Sequence, residues 1–154
     1  LNSLGETINL MRVARSLNFK KFLIMPPAYY KYGDKEVIEF YSKIADAIPD
    51  SEIILYNFEK LCGYKFSIEC VEKLVTKYPK NIVGVKDSSY NLFENLKIDN
   101  FSVLPGSESK LLRGLELGTS DRFFGTHYPT GIDRLLTVRY GSDGRRVSGA
   151  AKTA

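Results

Sequence analysis

The sequence has few of the residues on which metal sites and disulfide frameworks depend. Its 154 residues include two cysteines, Cys62 and Cys70, and one histidine, His127. No Cys/His cluster has the spacing of zinc ligands, so we expect no metal site. In the absence of a secretory signal, the cysteines are expected to be reduced thiols rather than a disulfide. We therefore predict no metal and no other cofactor.

Long apolar runs are also absent. No segment approaches about 18 consecutive apolar residues, and the start lacks a basic stretch followed by an apolar one, so we predict neither a membrane span nor a signal peptide. The net charge of +4 is modest, and no basic stripe with interleaved aromatic residues indicates nucleic-acid binding. The 44% hydrophobic content is typical of a soluble globular protein. A cytoplasmic location is the default expectation.

Short apolar runs alternate with segments of helical periodicity along most of the chain. Because parallel strands need crossover connections, this alternation predicts an α/β fold with a parallel sheet. It does not separate a closed barrel from an open doubly wound sheet. We assign residues 1–140 to one domain and residues 141–154 to a flexible tail, whose native or foreign origin stays open. The predicted strands cover residues 22–25, 51–57, the run ending near Lys86, 101–104 and 123–126.

The predicted helices lie between these strands. The helix over residues 5–17 has apolar side chains around one broad face, which we expect to be buried. Asp34 and Ser67 are predicted to be the N-caps of the next two long helices, over about 34–48 and 67–78. Gly63 is placed in an irregular loop, and residues 91–96 are weakly helical. Further helices are predicted over 110–117 and 132–140.

Lys86 is the strongest candidate for chemistry, because it follows an apolar strand and precedes a polar, turn-forming cluster. An apolar site disfavours the ammonium form and so favours a nucleophilic amine. The alternative is a stem that covers the strand end while the amine reaches water. Tyr56 ends the preceding apolar run. An eight-fold barrel of about 250 residues has about 31 residues per unit, so Tyr56 and Lys86 are predicted to end neighbouring parallel strands on one face.

Four short motifs extend this pattern along the chain in a plausible order. Together they make residues 1 to about 126 resemble the family of dihydrodipicolinate synthase and N-acetylneuraminate lyase. These are Schiff-base (class I) aldolases with a TIM (β/α)8 barrel, of which this chain would form a partial barrel with about five parallel strands. The motifs are Pro26-Pro27-Ala28-Tyr29-Tyr30, Leu55-Tyr56-Asn57, Gly84-Val85-Lys86-Asp87-Ser88-Ser89 and Pro105-Gly106-Ser107-Glu108.

The resemblance implies a role for each matching residue. Lys86 would form an iminium with pyruvate or another 2-keto acid, and Tyr56 would relay protons to and from it. Tyr29 matches a tyrosine that reaches a neighbouring subunit's active site, which implies a homo-oligomer. Gly106, Thr126 and Glu108 match substrate-binding positions.

For two of these residues a structural explanation stays open. Gly106 fits an ordinary turn equally well, and Thr126 fits a simple strand end. His127 lies next to Thr126, and we expect it in a solvent-facing loop.

Departures from the family pattern bear on the substrate. Leu61 stands where the synthase branch has an arginine that binds a carboxylate, and leucine cannot make that contact. A lyase acting on a 2-keto or 2-keto-3-deoxy sugar acid is therefore favoured. Lys60 can partly substitute, so a dihydrodipicolinate synthase condensing pyruvate with an amino-acid semialdehyde stays an alternative.

Two alternatives come from other classes of protein. The family's glycine-threonine-threonine stretch on an early strand has no counterpart in these residues, so the chain can also be an inactive, self-associating barrel fragment with exposed sheet edges. A small doubly wound binding domain is the last alternative. It leaves the Tyr56 and Lys86 pair unexplained, and the sequence has no glycine-rich phosphate loop to support it.

Overall fold

Helices alternate with strands along most of the part of the chain that the computed structural model describes, residues 3–28, 30–107, 110 and 113. Two helices lie between the second and third strands, and turns join the third strand to the fourth. This alternation confirms the predicted α/β class. None of the helices in these ranges is long and apolar enough to cross a bilayer. In order, the elements are α1 (Leu4–Ser16), β1 (Lys21–Ile24), α2 (Asp34–Ala47), β2 (Glu52–Asn57), α3 (Glu59–Cys62), α4 (Ile68–Lys77), β3 (Ile82–Asp87) and β4 (Ser102–Pro105).

The strands form a single parallel sheet in the order β1-β2-β3-β4. The order follows the sequence because each crossover places its strand beside the previous one. In the register of β2 and β3, Tyr56 is the partner of Lys86 and Asn57 is the partner of Asp87. The described residues contain four strands. The fifth predicted strand, over 123–126, lies outside them, as do the last predicted helix and the tail.

One face of the sheet carries the hydrophobic core. Side chains alternate between the two faces of a strand, and those on the core face pack against buried residues of α2 and α4. The opposite face carries Tyr56 and Lys86, each only partly buried. The core-face residues of the strands include Ile53, Leu55, Val85 and Val103, and their helix partners include Val37, Ile44, Val71 and Leu74.

The two predicted N-caps have different outcomes. Ser67 precedes α4, and its hydroxyl accepts a hydrogen bond from the Cys70 amide at 3.0 Å, which confirms the predicted cap. The prediction for Asp34 is wrong, because Gly33 holds the N-cap position of α2. The Asp34 carboxylate instead accepts hydrogen bonds from the hydroxyls of Tyr64 and Ser67. Asp34 therefore joins the start of α2 to the segment before α4.

The broad buried face predicted for α1 is also wrong. Within α1 only Thr7 and Met11 are buried, while Leu10 and Val13 are each 58% exposed. The helix packs against α2 on one side. In the described residues β1 is one of the two edge strands, and no element described beyond it covers Leu10 and Val13.

Two regions differ from their predicted secondary structure, one by containing a helix and the other by lacking one. The segment predicted to be irregular contains the short helix α3, which ends at Gly63 with a left-handed φ of 71°. Glycine adopts this conformation without steric cost. The weakly helical segment 91–96 consists of turns, in which the Leu92 carbonyl accepts hydrogen bonds from the amides of Asn95 and Leu96.

Candidate active site

The amine of Lys86 lies against the phenol of Tyr56 on the sheet face opposite the core. Nζ donates a hydrogen bond to the Tyr56 hydroxyl at 3.4 Å and lies 4.4 Å from the centre of its ring. The ring face attracts a protonated amine. The hydroxyl lies slightly beyond the distance of about 2.6 to 3.2 Å at which protons are transferred, as is common in catalytic pairs before substrate binds. The two groups that the sequence predicted to be neighbours are therefore in contact.

The parallel sheet explains why residues 30 positions apart in sequence meet. Tyr56 and Lys86 are each the penultimate residue of their strands and are partners in the register. Partners in adjacent parallel strands lie on the same face of the sheet. Their position at the carboxyl ends is where parallel α/β sheets place their functional sites.

A buried polar pair lies directly beyond these two residues. Asn57 and Asp87 have no exposed surface, and Asn57 Nδ2 donates to Asp87 Oδ1 at 2.7 Å. Neither residue was predicted from the sequence to be part of the site. The sequence did contain an indication, because Asn57 and Asp87 lie two residues after the apolar Leu55 and Val85 and therefore on the same, core-facing side of their strands. A polar residue at a core position needs hydrogen-bond partners there.

Gly106 follows β4 and packs directly against the loop that follows Lys86. A Cβ at this position would lie 2.6 Å from Ser88 Cα and 2.7 Å from Ser88 Cβ. The Gly106 amide also donates to the Asp87 carbonyl at 2.9 Å. The structure thus gives a packing reason for glycine here, and its role in substrate binding stays a prediction.

The structure describes Leu61 but not four of the other candidate residues. Tyr29, Glu108, Thr126 and His127 lie outside the described residues. Leu61, at the position that separates the branches, is on α3 and is 57% exposed. Among the described residues, no group of three or more His, Cys, Asp or Glu side chains could hold a metal ion.

An apolar cavity of about 510 Å³ lies between α1 and the edge strand β1. Leu10, Met11 and Leu23 line it, and Tyr56 forms part of its wall. Lys86 is not among the lining residues. The cavity therefore adjoins the candidate site through Tyr56 but does not contain the amine.

Comparison with known proteins gives a consistent result. The model of the dihydrodipicolinate synthetase family matches residues 1–127. A 4-hydroxy-tetrahydrodipicolinate synthase of Thermus thermophilus is 30% identical over 75% of this chain and 40% of its own length. The chain thus spans about 40% of the length of this curated relative.

Two solved structures are similar in sequence and in fold. The 2-keto 3-deoxygluconate aldolase of Picrophilus torridus matches 92% of this chain and 52% of its own, with 29% identity and a TM-score of 0.80. A prophage protein of the dihydrodipicolinic acid synthase family from E. coli, solved in complex with pyruvate, matches 77% of this chain and 42% of its own. Its identity is 25% and its TM-score 0.71.

These matches decide between the two sheet architectures that periodicity left open. The fold is that of the TIM barrels of this family, of which the described residues form a part with four parallel strands. The family match over residues 1–127 contains all four motifs. It also contains Tyr56 and Lys86, which are partners in the sheet. This chain belongs to the dihydrodipicolinate synthase family.

Proposed function

We propose that this chain carries the catalytic centre of a class I carbon-carbon lyase acting on pyruvate or a 2-keto-3-deoxy sugar acid. The observation that supports it best is the contact between the Lys86 amine and the Tyr56 hydroxyl at the carboxyl ends of neighbouring strands. In this proposal Lys86 is the nucleophile and Tyr56 is the proton relay.

The proposed chemistry begins with the neutral amine. Nζ of Lys86 attacks the keto carbon and forms a C–N bond, and the keto oxygen leaves as water. That oxygen takes one proton from the amine and one from the Tyr56 hydroxyl, so that a protonated imine results. The imine then accepts the electron pair of the breaking carbon-carbon bond. The phenolate removes the proton of the hydroxyl on the departing carbon, which becomes the aldehyde, and the electron pair of the broken bond forms an enamine on Lys86. The enamine takes up a proton at its terminal carbon, and water then hydrolyses the imine to release pyruvate and the free amine.

The similar proteins support this class of substrate. The E. coli relative was solved with pyruvate, and the Picrophilus torridus relative is named as a 2-keto 3-deoxygluconate aldolase. In our proposal Gly106, Thr126 and Glu108 contact the substrate, and Tyr29 contributes to the site of a neighbouring subunit in a homo-oligomer. We also propose a cytoplasmic location and a flexible tail over 141–154.

A dihydrodipicolinate synthase is the second candidate. The identity to the Thermus thermophilus synthase supports it. Leu61 argues against it, since this exposed leucine cannot bind a substrate carboxylate. Cleavage of 2-keto-3-deoxy sugar acids and consumption of an amino-acid semialdehyde with pyruvate distinguish the two. If the protein consumes the semialdehyde with pyruvate but does not cleave the sugar acids, the synthase is favoured.

An inactive, self-associating fragment is the candidate from another class. A complete barrel has about eight strands, whereas the described sheet has four. Near β1, several apolar side chains are exposed, and such a surface favours association. They are Leu10, Val13, Leu17, Phe19 and Leu23.

Trapping with borohydride tests the proposal. The protein is mixed with pyruvate, reduced, digested and mapped by mass. We expect an added mass equal to pyruvic acid less one oxygen, confined to the peptide that contains Lys86. The Lys86→Ala variant should give no adduct. Lys73→Ala is the matched control, because Lys73 is an exposed lysine paired with Glu69 on α4.

Each other outcome of this experiment has a definite meaning. An adduct on several exposed lysines would indicate nonspecific reaction and would contradict a dedicated site. The fragment candidate would be favoured if the chain gave no adduct but formed one when extended with the early strands of a relative. If both failed to react, Lys86 would be structural.

A further inference from the structure

The carboxylate of Asp87 is buried and accepts hydrogen bonds with both of its oxygens. Oδ1 accepts from the Asn57 side chain and from two backbone amides of the loop after β3, and Oδ2 accepts from two more. Such a set compensates the cost of burying a charge. The donors to Oδ1 are Asn57 Nδ2, Ser89 N and Tyr90 N at 2.7, 3.2 and 2.9 Å, and those to Oδ2 are Leu92 N and Phe93 N at 2.8 and 2.9 Å.

Asn57 extends this network from β3 to β2. Its Nδ2 also donates to Asn91 Oδ1 at 2.8 Å, and its Oδ1 accepts from the Phe66 amide at 3.1 Å. Asn91 Nδ2 donates to the Phe66 carbonyl at 2.9 Å. Side-chain amides thereby connect the end of β2 with the segment before α4 and with the loop after β3.

The network lies one residue beyond the candidate catalytic pair. Tyr56 and Lys86 are register partners, and Asn57 and Asp87 are the next pair. Because consecutive residues of a strand point to opposite faces, the bond between Asn57 and Asp87 lies on the core face. It joins the ends of the same two strands whose other face carries Tyr56 and Lys86. A shift of one strand end relative to the other would stretch this bond and the Tyr56 to Lys86 contact together.

We propose that Asp87 is a positioning residue, which through Asn57 holds the Lys86 amine and the Tyr56 hydroxyl at their reacting distance. The proposal rests on the function proposed above. Asp87 touches no reacting atom in this proposal and acts through the strand ends and the loop. Nothing else among the described residues joins β2 to β3 by a side-chain bond so close to the pair.

The carboxylate is chemically specific for this position. An asparagine has one acceptor oxygen and an NH₂ group that donates. In Asp87→Asn, the NH₂ group would face backbone amides that also donate, so either the loop or the Asn57 contact would be lost. Asp87→Glu keeps both acceptor oxygens on a longer stem and should restore part of the function.

The test compares Asp87→Asn, Asp87→Glu and Asn57→Ala with the control Asp34→Asn. Asp34 also accepts two hydrogen bonds, from the hydroxyls of Tyr64 and Ser67, so its substitution imitates the loss of a structural carboxylate. The first readout is the rate of borohydride-trapped adduct formation with pyruvate. A displacement of the order of 1 Å costs up to about a hundredfold, so we expect Asp87→Asn to slow the adduct by about tenfold to a hundredfold.

A second readout needs no keto acid and therefore stands even if the proposed function fails. The rate of reductive methylation by formaldehyde is measured at the Lys86 peptide across pH, with the Lys73 peptide as internal reference. Asp87→Asn and Asn57→Ala should change the pH profile of Lys86, whereas Asp34→Asn should leave it unchanged. Asp87→Glu should lie between Asp87→Asn and the parent.

The outcomes separate the two proposals. A parent protein without a pyruvate adduct contradicts the proposed function, and the methylation profile then decides the role of Asp87. If Asp87→Asn does not fold, Asn57→Ala decides, because it removes the bond between the strands and leaves the loop amides bound to Asp87. Folded variants that keep the parent's adduct rate and Lys86 profile, and lose only thermal stability, would overturn the positioning role.

Discussion

Replacement of Gly106 by alanine should destabilise the protein through a clash with a single neighbour. The new methyl carbon would lie 2.6 Å from Ser88 Cα and 2.7 Å from Ser88 Cβ. Carbon atoms pack at about 3.5 to 4.0 Å, so the two loops must separate by roughly 1 Å. Since one of these atoms is backbone, a change of side-chain rotamer cannot relieve the contact.

The expected loss follows from two terms. Overpacking by a methyl group in a tight site costs typically about 1 to 3 kcal/mol. The separation also stretches the hydrogen bond from the Gly106 amide to the Asp87 carbonyl, now 2.9 Å, whose loss costs about 0.5 to 1.5 kcal/mol. We therefore expect Gly106→Ala to lower the free energy of unfolding by about 2 to 4 kcal/mol.

Urea denaturation measures this loss, and Gly5→Ala provides a matched control. In α1, a Cβ on Gly5 would meet only Ser3 Oγ, at 3.9 Å, and alanine is favoured over glycine in a helix by up to about 1 kcal/mol. The control should be neutral or more stable than the parent. Adding Ser88→Gly to Gly106→Ala should recover only part of the loss, because the Ser88 Cα remains. Parent stability for Gly106→Ala would refute the packing argument.

Two further predictions concern the candidate site and the response to alkaline pH. Tyr56→Phe removes the hydroxyl that lies 3.4 Å from Lys86 Nζ; we expect adduct formation to persist and turnover of a sugar acid to fall, by about a hundredfold or more, and equal turnover would contradict a proton relay. Burial raises the pKa of the Cys70 thiol from 9.0 to about 11, and burial together with Cys70 and Asp34 raises the pKa of Tyr64. Raised pKa values mean that the folded state holds these protons more tightly, so this stability is complete below about pH 9 and is lost as the pH rises through the folded-state values. The midpoints of urea denaturation across alkaline pH measure this loss of stability. The Cys70→Ala variant should lose less stability per pH unit than the parent.

The sequence was sufficient to predict the elements that local rules govern. The strands near Tyr56 and Lys86 read as short apolar runs ending in polar residues, and the helix after Ser67 has both a cap and an apolar periodicity. Given alternation of strands and helices, the parallel orientation of neighbouring strands follows almost without choice. The proximity of Tyr56 and Lys86 was predictable for this reason, whereas their exact pairing also depends on a shift of the register between Ile53 and Ile54, which the sequence pattern did not indicate.

The errors occurred where a residue's role depends on a distant partner. Asp34 has the sequence context of a cap, but the hydroxyls of Tyr64 and Ser67 draw its carboxylate towards the segment before α4. The apolar side chains of α1 have helical periodicity, yet Leu10 and Val13 are exposed because no described element packs on them. Periodicity reports which residues prefer burial and does not report what covers them.

Asn57 and Asp87 combine both situations. Their positions on the core face followed from the alternation in β2 and β3, but their partners include the amides of a loop whose turns the sequence did not specify. A buried carboxylate is stable only where such a loop has already closed around it. The amides of the loop, in turn, have their hydrogen-bond partner only when the Asp87 carboxylate is in place. This mutual dependence makes the end of β3 a cooperative unit, and Lys86 is the residue of that unit that faces the candidate substrate site.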